Sequence, residues 1–406
     1  MKISLLSIGD ELLSGFTVNT NASWIGKSLT NIGCSICAQI TVKDNKKSII
    51  NGLKNLTKKK VDFIIITGGL GSTKDDITRK TLFSFLSSNE IFDKVYWEEL
   101  KKRFKSEDKV PISMKNQAIS PSNGKIIPNL IGSARGYQFK FEDLEILSLP
   151  GVPSEMKQMM NQTIIPLISN KILVPKITKV VRTIGISESH ISKKIDSISD
   201  YYQNCKIGYY PSSKGVDLTI SGYVIKDIIE LISKIKNIIN RFVYSEGVQS
   251  MEEIIVSLLN QKEKTLATAE SCTGGLISNR ITNISGSSKV FKGSVVSYSN
   301  QSKIKLLNVN KDIIDKYGAV SKEVASLMST NALKLFSADY ALSVTGIAGP
   351  LGGTKNKPVG LVYVGLSNDL KTVVKKFQFG KDRKINKIKT SQASLNMLRS
   401  TLINDK

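Results

Sequence analysis

The sequence predicts an α/β protein in three successive parts: a doubly wound N-terminal domain, a small βαββαβ module and a second open α/β unit. Three observations carry this. Apolar, β-branched runs such as "VDFIIIT" (61–67) have the composition of strands buried on both faces of a parallel sheet, and this run gives way to glycines and then to a helical pattern. Over residues 177–245 the order switches to strand, helix, strand, strand, helix, strand. Beyond Met251 a further set of strands ends in Ser, Tyr or Thr and runs into small-residue loops. At 406 residues and 40% hydrophobic content, the chain is long enough for two or three separate cores.

The first part opens with the strand "KISLLSI", the loop "GDELLSGFTVNTN" and the helix "ASWIGKSLTNIG", which stops at Gly33 as helices prefer. The strand "GCSICAQITV" follows, then 61–67, "GGLGSTKDD" and a helix. Around 146–150, "ILSLPG" repeats the design and "VPSEMKQMM" starts the next helix. This alternation predicts a doubly wound domain over residues 1–170. The middle part, 171–247, reads as strand 177–184, helix 187–199, strands 205–210 and 215–222 joined by the turn "PSSKG", helix 225–241 and strand 242–245. It carries no chemical constellation and reads as a spacer or dimerisation module. Residues 248–406 form the third part, with strands "TLATAES", "KGSVVSYS" and "DYALSVTG".

A net charge of +24 attracts anions in general. Lysine greatly outnumbers arginine, the residue that reads phosphates and guanines in bidentate fashion, so specific nucleic-acid binding is not the expected role. Four cysteines do not make a disulfide framework in a chain of this size. Cys34 and Cys37 form a C-x-x-C on a strand, where positions three apart face opposite sides, which argues against a metal or redox pair. No apolar stretch approaches a membrane span and none suits a signal segment, so a cytoplasmic protein with no membrane partner is expected.

In an open α/β sheet, ligands sit at the carboxyl ends of the strands. Ser271, Tyr298 and Thr345 are therefore expected on one rim. "TAESCTGG" places Ser271 and Cys272 side by side, with Thr273 and Gly274 in the same turn, where the apolar run breaks. A nucleophile there needs a base, and the usual agent is imidazole. The one histidine, His190, lies on the middle module's first helix. The remaining bases near the rim are Glu270, Tyr298 and Lys303. A lysine base must be neutral, so its pKa has to fall from about 10.4 to about 7 or 8. Burial and a neighbouring cation such as Arg383 would supply such a shift. The alternative is a charged Lys303 that lowers the pKa of Tyr298, leaving the phenol as base, and the residues alone leave both open. In "VTGIAGPLGGT", Gly346 and Gly349, with Gly352 and Gly353, let backbone N–H groups approach an anion.

On the N-terminal rim, "ITGGLGSTKDDIT" is a glycine turn between a buried strand and a helix. Gly68, Gly69 and Gly71 give it a phosphate-binding geometry, although it is neither a Walker A loop nor a dinucleotide fingerprint. Asp75 and Asp76 are candidate ligands for a divalent cation such as magnesium, and Asp10 and Glu11, after the first strand, are placed to reach the same rim.

The segments "IGDELLSG", "TNASWI", "TGGLGSTKDD", "LPGVPSEM", "RTIGISES", "IGYYPS", "TAESCTGG", "YSNQSK", "GAVSKEVA" and "VTGIAGPLGGT" resemble, in order and across the whole chain, the CinA family of competence/damage-inducible proteins. The resemblance implies a molybdopterin-binding-like N-terminal domain, a KH-like middle domain and a C-terminal nicotinamide-nucleotide amidase domain. It implies deamidation of nicotinamide mononucleotide without a cofactor, with Ser271 as nucleophile, Tyr298 and Lys303 handling protons, and Thr345 and Arg383 lining the site. It further implies hydrolysis of ADP-ribose in the N-terminal domain with a divalent cation, often with potassium, and a homodimer. A competence or DNA-damage-associated binding protein without an enzymatic N-terminal site is the alternative. Two positions depart from the family pattern there: Ser72 and Arg135 stand where proline is common, and Arg135 is expected either near the phosphate site or in solvent. After Arg383 the chain runs "KINK" where the family tends to place a second arginine.

Overall fold

The two faces of the first sheet explain its sequence. In the computed structural model, which describes residues 1–73, 75–103, 110–199 and 201–405, the strands are β1 (Lys2–Ile8), β2 (Ser35–Val42), β3 (Phe63–Thr67), β4 (Glu90–Phe92), β5 (Ile119–Pro121), β6 (Lys125–Ile127), β7 (Gly136–Phe141) and β8 (Leu144–Leu149). Six of them form one sheet in the order β2-β1-β3-β8-β7-β6, with β2, β1, β3 and β8 parallel and β7 and β6 antiparallel. Alternate side chains on these strands feed different cores. Leu6, Ile64, Ile66 and Ile146 pack with helices Lys46–Thr57 and Thr78–Phe85. Ile3, Leu5, Phe63, Ile65 and Leu147 pack with helices Thr20–Asn31 and Pro153–Met159. The doubly wound expectation holds; the short pairs β4–β5 and β6–β7 carry no long apolar run and escape sequence inspection.

Packing divides the chain into two units, residues 1–178 with 222–225, and residues 179–221 with 226–406. The middle module contains β9 (Ile177–Thr183), β10 (Lys206–Ser212), β11 (Gly215–Gly222) and β12 (Val243–Glu246), in the order β10-β11-β9-β12. Its helices are Glu188–Ser199 and Ile225–Ile239, and the second buries Ile228, Leu231, Ile232, Ile235 and Ile239 along one stripe. The βαββαβ order is therefore as anticipated.

The last sheet is built from β13 (Leu266–Glu270), β14 (Phe291–Val296), β15 (Tyr340–Gly346), β16 (Leu361–Ser367) and β17 (Thr372–Gln378), in the order β14-β13-β15-β16-β17. The first three run parallel and the last two antiparallel. The 22-residue helix Arg383–Asn404 closes the chain and buries Leu395, Met397, Leu398 and Leu402. Among the described residues no helix is long and apolar enough to cross a membrane. Cys34, just before β2, is buried, and Cys37, on β2, is exposed.

Gly68 shows how closely the first rim is packed. Its φ is +106°, and a Cβ there would lie 2.2 Å from the Ile8 carbonyl oxygen. Gly15 has a similar φ of +76° but open space around it. Gly68→Ala is therefore expected to destabilise by more than about 2 kcal/mol and Gly15→Ala by about 1 kcal/mol, measured by urea unfolding.

Candidate active site

The parallel strands β14, β13 and β15 end level with one another. Glu270 pairs with both Val296 and Val344, so the residues just beyond them share the sheet's carboxyl edge. Backbone bonds continue the register past the strand ends: Ser271 N–H donates to Val344 O at 3.0 Å, and Ser297 N–H to Glu270 O at 2.8 Å. Ser271 then opens a turn through Gly274 and Gly275, whose φ values of +61° and +87° are left-handed. The helix Leu276–Thr282 follows.

Glu270 is fully buried, and its carboxylate accepts from Ile277 N–H at 3.1 Å, Ser278 N–H at 2.8 Å and the Ser278 hydroxyl at 2.5 Å. All its contacts serve the first turn of that helix, where orphan donors and the macrodipole favour an anion. Glu270 is an anchor for the turn, which removes it from the candidate bases.

Lys303 projects from the helix Asn300–Leu307, whose start is fixed by reciprocal Ser299 and Ser302 hydrogen bonds. Its side chain is only 2% exposed. The amine donates to Ser271 Oγ at 2.9 Å and to the Ser297 carbonyl at 2.8 Å. Burial lowers its pKa from 10.5 to about 8, with Cys272 opposing the shift. Arg383 does not contribute: its guanidinium donates instead to the Tyr298 hydroxyl at 2.5 Å and the Gly349 carbonyl at 2.9 Å. The arrangement thus separates two pairs, Lys303 with the 7%-exposed Ser271 and Arg383 with the 59%-exposed Tyr298.

Cys272 is buried beside this chemistry. It belongs to the hydrophobic core, and burial pushes its thiol up to about 12. Thr273 is fully buried and its hydroxyl has no partner. The Thr345 hydroxyl donates to the Ala319 carbonyl at 2.7 Å. Gly346 ends β15, paired with Val362, and Gly349 lies in the loop that follows; a Cβ on Gly346 would meet Val362 and one on Gly349 would meet Val359 at 2.5 Å. Lys387, one helical turn past Arg383, places Nζ 3.6 Å from where a Cβ on Gly274 would sit. Sequence inspection passed over Lys387, although a spacing of four on a helix is the signal that puts it on the same face as Arg383. His190 is exposed and its ring nitrogen Nδ1 pairs with the Ser187 hydroxyl at 2.7 Å.

On the first unit's rim, a cavity of about 620 Å³ is lined by Gly68, Gly69, Gly71, Glu11, Asp44 and Asp76, among others. Asp76 accepts from Thr73 N–H at 3.0 Å. Asp10 and Asp75 do not line the cavity but act on Asp44 through space. Asp44, absent from the sequence-derived set, has its pKa raised to about 6 by burial and by the carboxylates of Asp76, Asp10, Glu11 and Asp75, and its Oδ1 has no partner. Among the described residues no group of three or more His, Cys, Asp or Glu is placed to hold a metal ion by protein ligands alone. Arg135 is neither at the cavity nor in solvent. It is buried, paired with Asp93 at 2.6 Å and stacked over the Tyr96 ring at 4.0 Å.

Models of the CinA C-terminal domain, a probable molybdopterin binding domain and the damage-inducible protein CinA KH domain match residues 248–402, 4–170 and 178–245. A putative competence-damage inducible protein of Thermoanaerobacter pseudethanolicus is 38% identical over 99% of each chain. This chain belongs to the CinA family. A CinA-like protein of Prochlorococcus marinus is 37% identical over 99% of this chain and 98% of its own. The crystal structure of competence/damage inducible protein CihA from Agrobacterium tumefaciens is 34% identical with a TM-score of 0.37, covering 39% of this chain and 98% of that one. In this CinA chain the Ser271 rim lies within the part that matches the CinA C-terminal domain, and the acidic cavity within the part that matches the molybdopterin-binding model.

The buried amine has a thermodynamic signature. Its folded pKa lies below its unfolded value, so the unfolded chain binds the proton more tightly. Stability from this group is lowest below pH 8 and recovers as the pH climbs towards 10.5. Relative to wild type, Lys303→Met should therefore lose about 3 kcal/mol of advantage across that window, read from urea unfolding of both proteins. A difference that stays flat with pH would place the charged amine in solvent.

Proposed function

We propose that the second unit is a serine amidase of nicotinamide mononucleotide, releasing nicotinate mononucleotide and ammonia. The single observation that carries this is the 2.9 Å contact between the buried Lys303 amine and Ser271 Oγ. A neutral amine that gives one N–H to the Ser297 carbonyl keeps its lone pair for the serine proton. Ser271 Oγ attacks the amide carbon while its proton passes to Lys303 Nζ, which forms the ammonium. Collapse of the tetrahedral intermediate breaks the C–N bond, and the same proton leaves with the nitrogen as ammonia. Water then attacks the acyl-serine ester, Lys303 again taking and returning the proton. Arg383 and Lys387 supply the positive charge a phosphorylated substrate needs, and Arg383 holds Tyr298 over the entrance. The reaction needs no cofactor.

For the first unit the reading is hydrolysis of the pyrophosphate of ADP-ribose. The glycine turn at Gly68, Gly69 and Gly71 suits a diphosphate, and the Asp44 carboxyl, with its pKa near 6 and its unpartnered oxygen, suits proton transfer. The carboxylates of Asp44, Asp76 and Glu11 give this cavity its charge. Product formation from ADP-ribose, compared between wild type and Asp44→Asn, tests this reading independently of the amidase.

Ammonia release from nicotinamide mononucleotide is expected to fall at least about a thousandfold in Ser271→Ala and at least about a hundredfold in Lys303→Ala. Cys272→Ala and His190→Ala keep most of it. In wild type kcat/KM should climb with pH and level off above about 8, following the Lys303 amine. Loss of activity in the histidine variant, or a flat pH profile, would remove the base assignment.

A further inference from the structure

The first turn of the helix Arg383–Asn404 buries an asparagine. Asn386 is 1% exposed, and asparagine is neither apolar nor a strong helix former, so packing and propensity alone would favour another residue there. Its Nδ2 donates to the Ala348 carbonyl at 2.9 Å and to the Gly380 carbonyl at 2.8 Å. Carbonyls only accept, so the orientation of the amide is forced and both of its N–H groups are used. Oδ1 is left buried with no partner, which is a cost to the fold. An asparagine with that cost serves the two loops it binds rather than the helix that carries it.

Those loops come from different places in the chain. Ala348 lies between β15 and β16, and Gly380 between β17 and the helix. Gly349, next to Ala348, offers its carbonyl to Arg383 Nη1 at 2.9 Å, and Arg383 Nη2 reaches the Tyr298 hydroxyl at 2.5 Å. Residues three apart share a side of a helix, so Asn386 and Arg383 grip the consecutive carbonyls of Ala348 and Gly349 from one face. The fit is close: Gly349 has a φ of +90°, and a Cβ on it would lie 2.8 Å from the Lys381 carbonyl oxygen. A guanidinium on a flexible stem stays where its acceptors are, and one of these is the carbonyl next to the one that Asn386 holds.

We infer that Asn386 is a positioning residue: by clipping the β15–β16 loop to the start of the helix it fixes Gly349, and through Gly349 it aims the Arg383 guanidinium at the substrate phosphate. Asn386 itself touches no substrate. The inference rests on the amidase reading of the Ser271 rim, because it takes Arg383 as the phosphate anchor. Ser271 and Lys303 are held separately, by the sheet register and the Ser297 carbonyl, so loss of the clip should reach phosphate recognition and leave the nucleophile in place.

The test compares the wild-type full chain with Asn386→Leu, close to asparagine in volume, and Asn386→Ser, which keeps one donor. With nicotinamide mononucleotide, KM should rise at least about tenfold in the leucine variant and less in the serine one, while kcat stays within about threefold. Deamidation of nicotinamide riboside, which lacks the phosphate, should change by less than about twofold. A second readout needs no substrate: phenylglyoxal, followed by mass mapping, should modify Arg383 at least about threefold faster in both variants, with the exposed Arg241 as the unchanged reference. Equal losses on both substrates, a fall confined to kcat, an unchanged rate at Arg383, or failure of both variants to fold would each overturn the proposal. Failure of the amidase reading shows differently, as no ammonia release by wild type, and the Arg383 rate then still decides whether Asn386 positions the guanidinium.

Discussion

The second unit is organised around one desolvated amine. Placing a charged ammonium at 2% exposure costs several kcal/mol, and among the described residues no carboxylate forms an ion pair with Lys303 to offset it. The fold meets the cost by lowering the proton affinity of the group until the neutral form is accessible near physiological pH. On the proposed amidase reading this lysine would do what imidazole does elsewhere, and two oxygens hold it, one from Ser271 and one from the Ser297 backbone. Those oxygens sit on neighbouring strands, so the position of the amine is set by the register of the sheet.

That dependence explains the division of labour around the rim. Glu270 spends its charge on the helix after the turn and so holds the serine in place without competing for its proton. Arg383 spends its charge on Tyr298 and Gly349, at the more exposed edge, where a substrate would enter. A cation brought closer to Lys303 would lower its pKa further, but the structure reaches about 8 by burial alone. Tyr298 is held by a guanidinium and lies largely in solvent, while the amine is in contact with the Ser271 hydroxyl.

Much of this was legible from residues in line. Buried β-branched runs locate strands, and Ser271, Tyr298 and Thr345 at three strand ends locate a rim, because parallel strands in one sheet finish together. Depth was not legible: Lys303 and Lys305 look alike in "YSNQSKIKLL", and only packing of the helix buries the first. Glu270 reads as a base until the helix beside it claims both oxygens. Asp44 lies more than twenty residues from the glycine turn and meets it only because β2 and β3 flank β1 in the sheet. Arg135 departs from the family pattern, yet its place beside Asp93 and Tyr96 depends on a loop crossing that no local pattern announces.

Charge gives the last distinction between the two rims. The net +24 of the chain is carried by lysines spread over every segment, and it predicts nothing about either site. Locally the signs are opposite. The first unit's cavity collects Asp44, Asp76, Glu11 and Glu155, so an anionic diphosphate entering it must bring or meet positive charge before the glycine turn can hold it. At the Ser271 rim the cations are already in place, with Arg383 and Lys387 on one helix face above the turn. On the proposed amidase reading a phosphorylated amide would find both its anchor and its nucleophile in this one arrangement, and for this reason that reading rests on fewer additional components than the pyrophosphatase one.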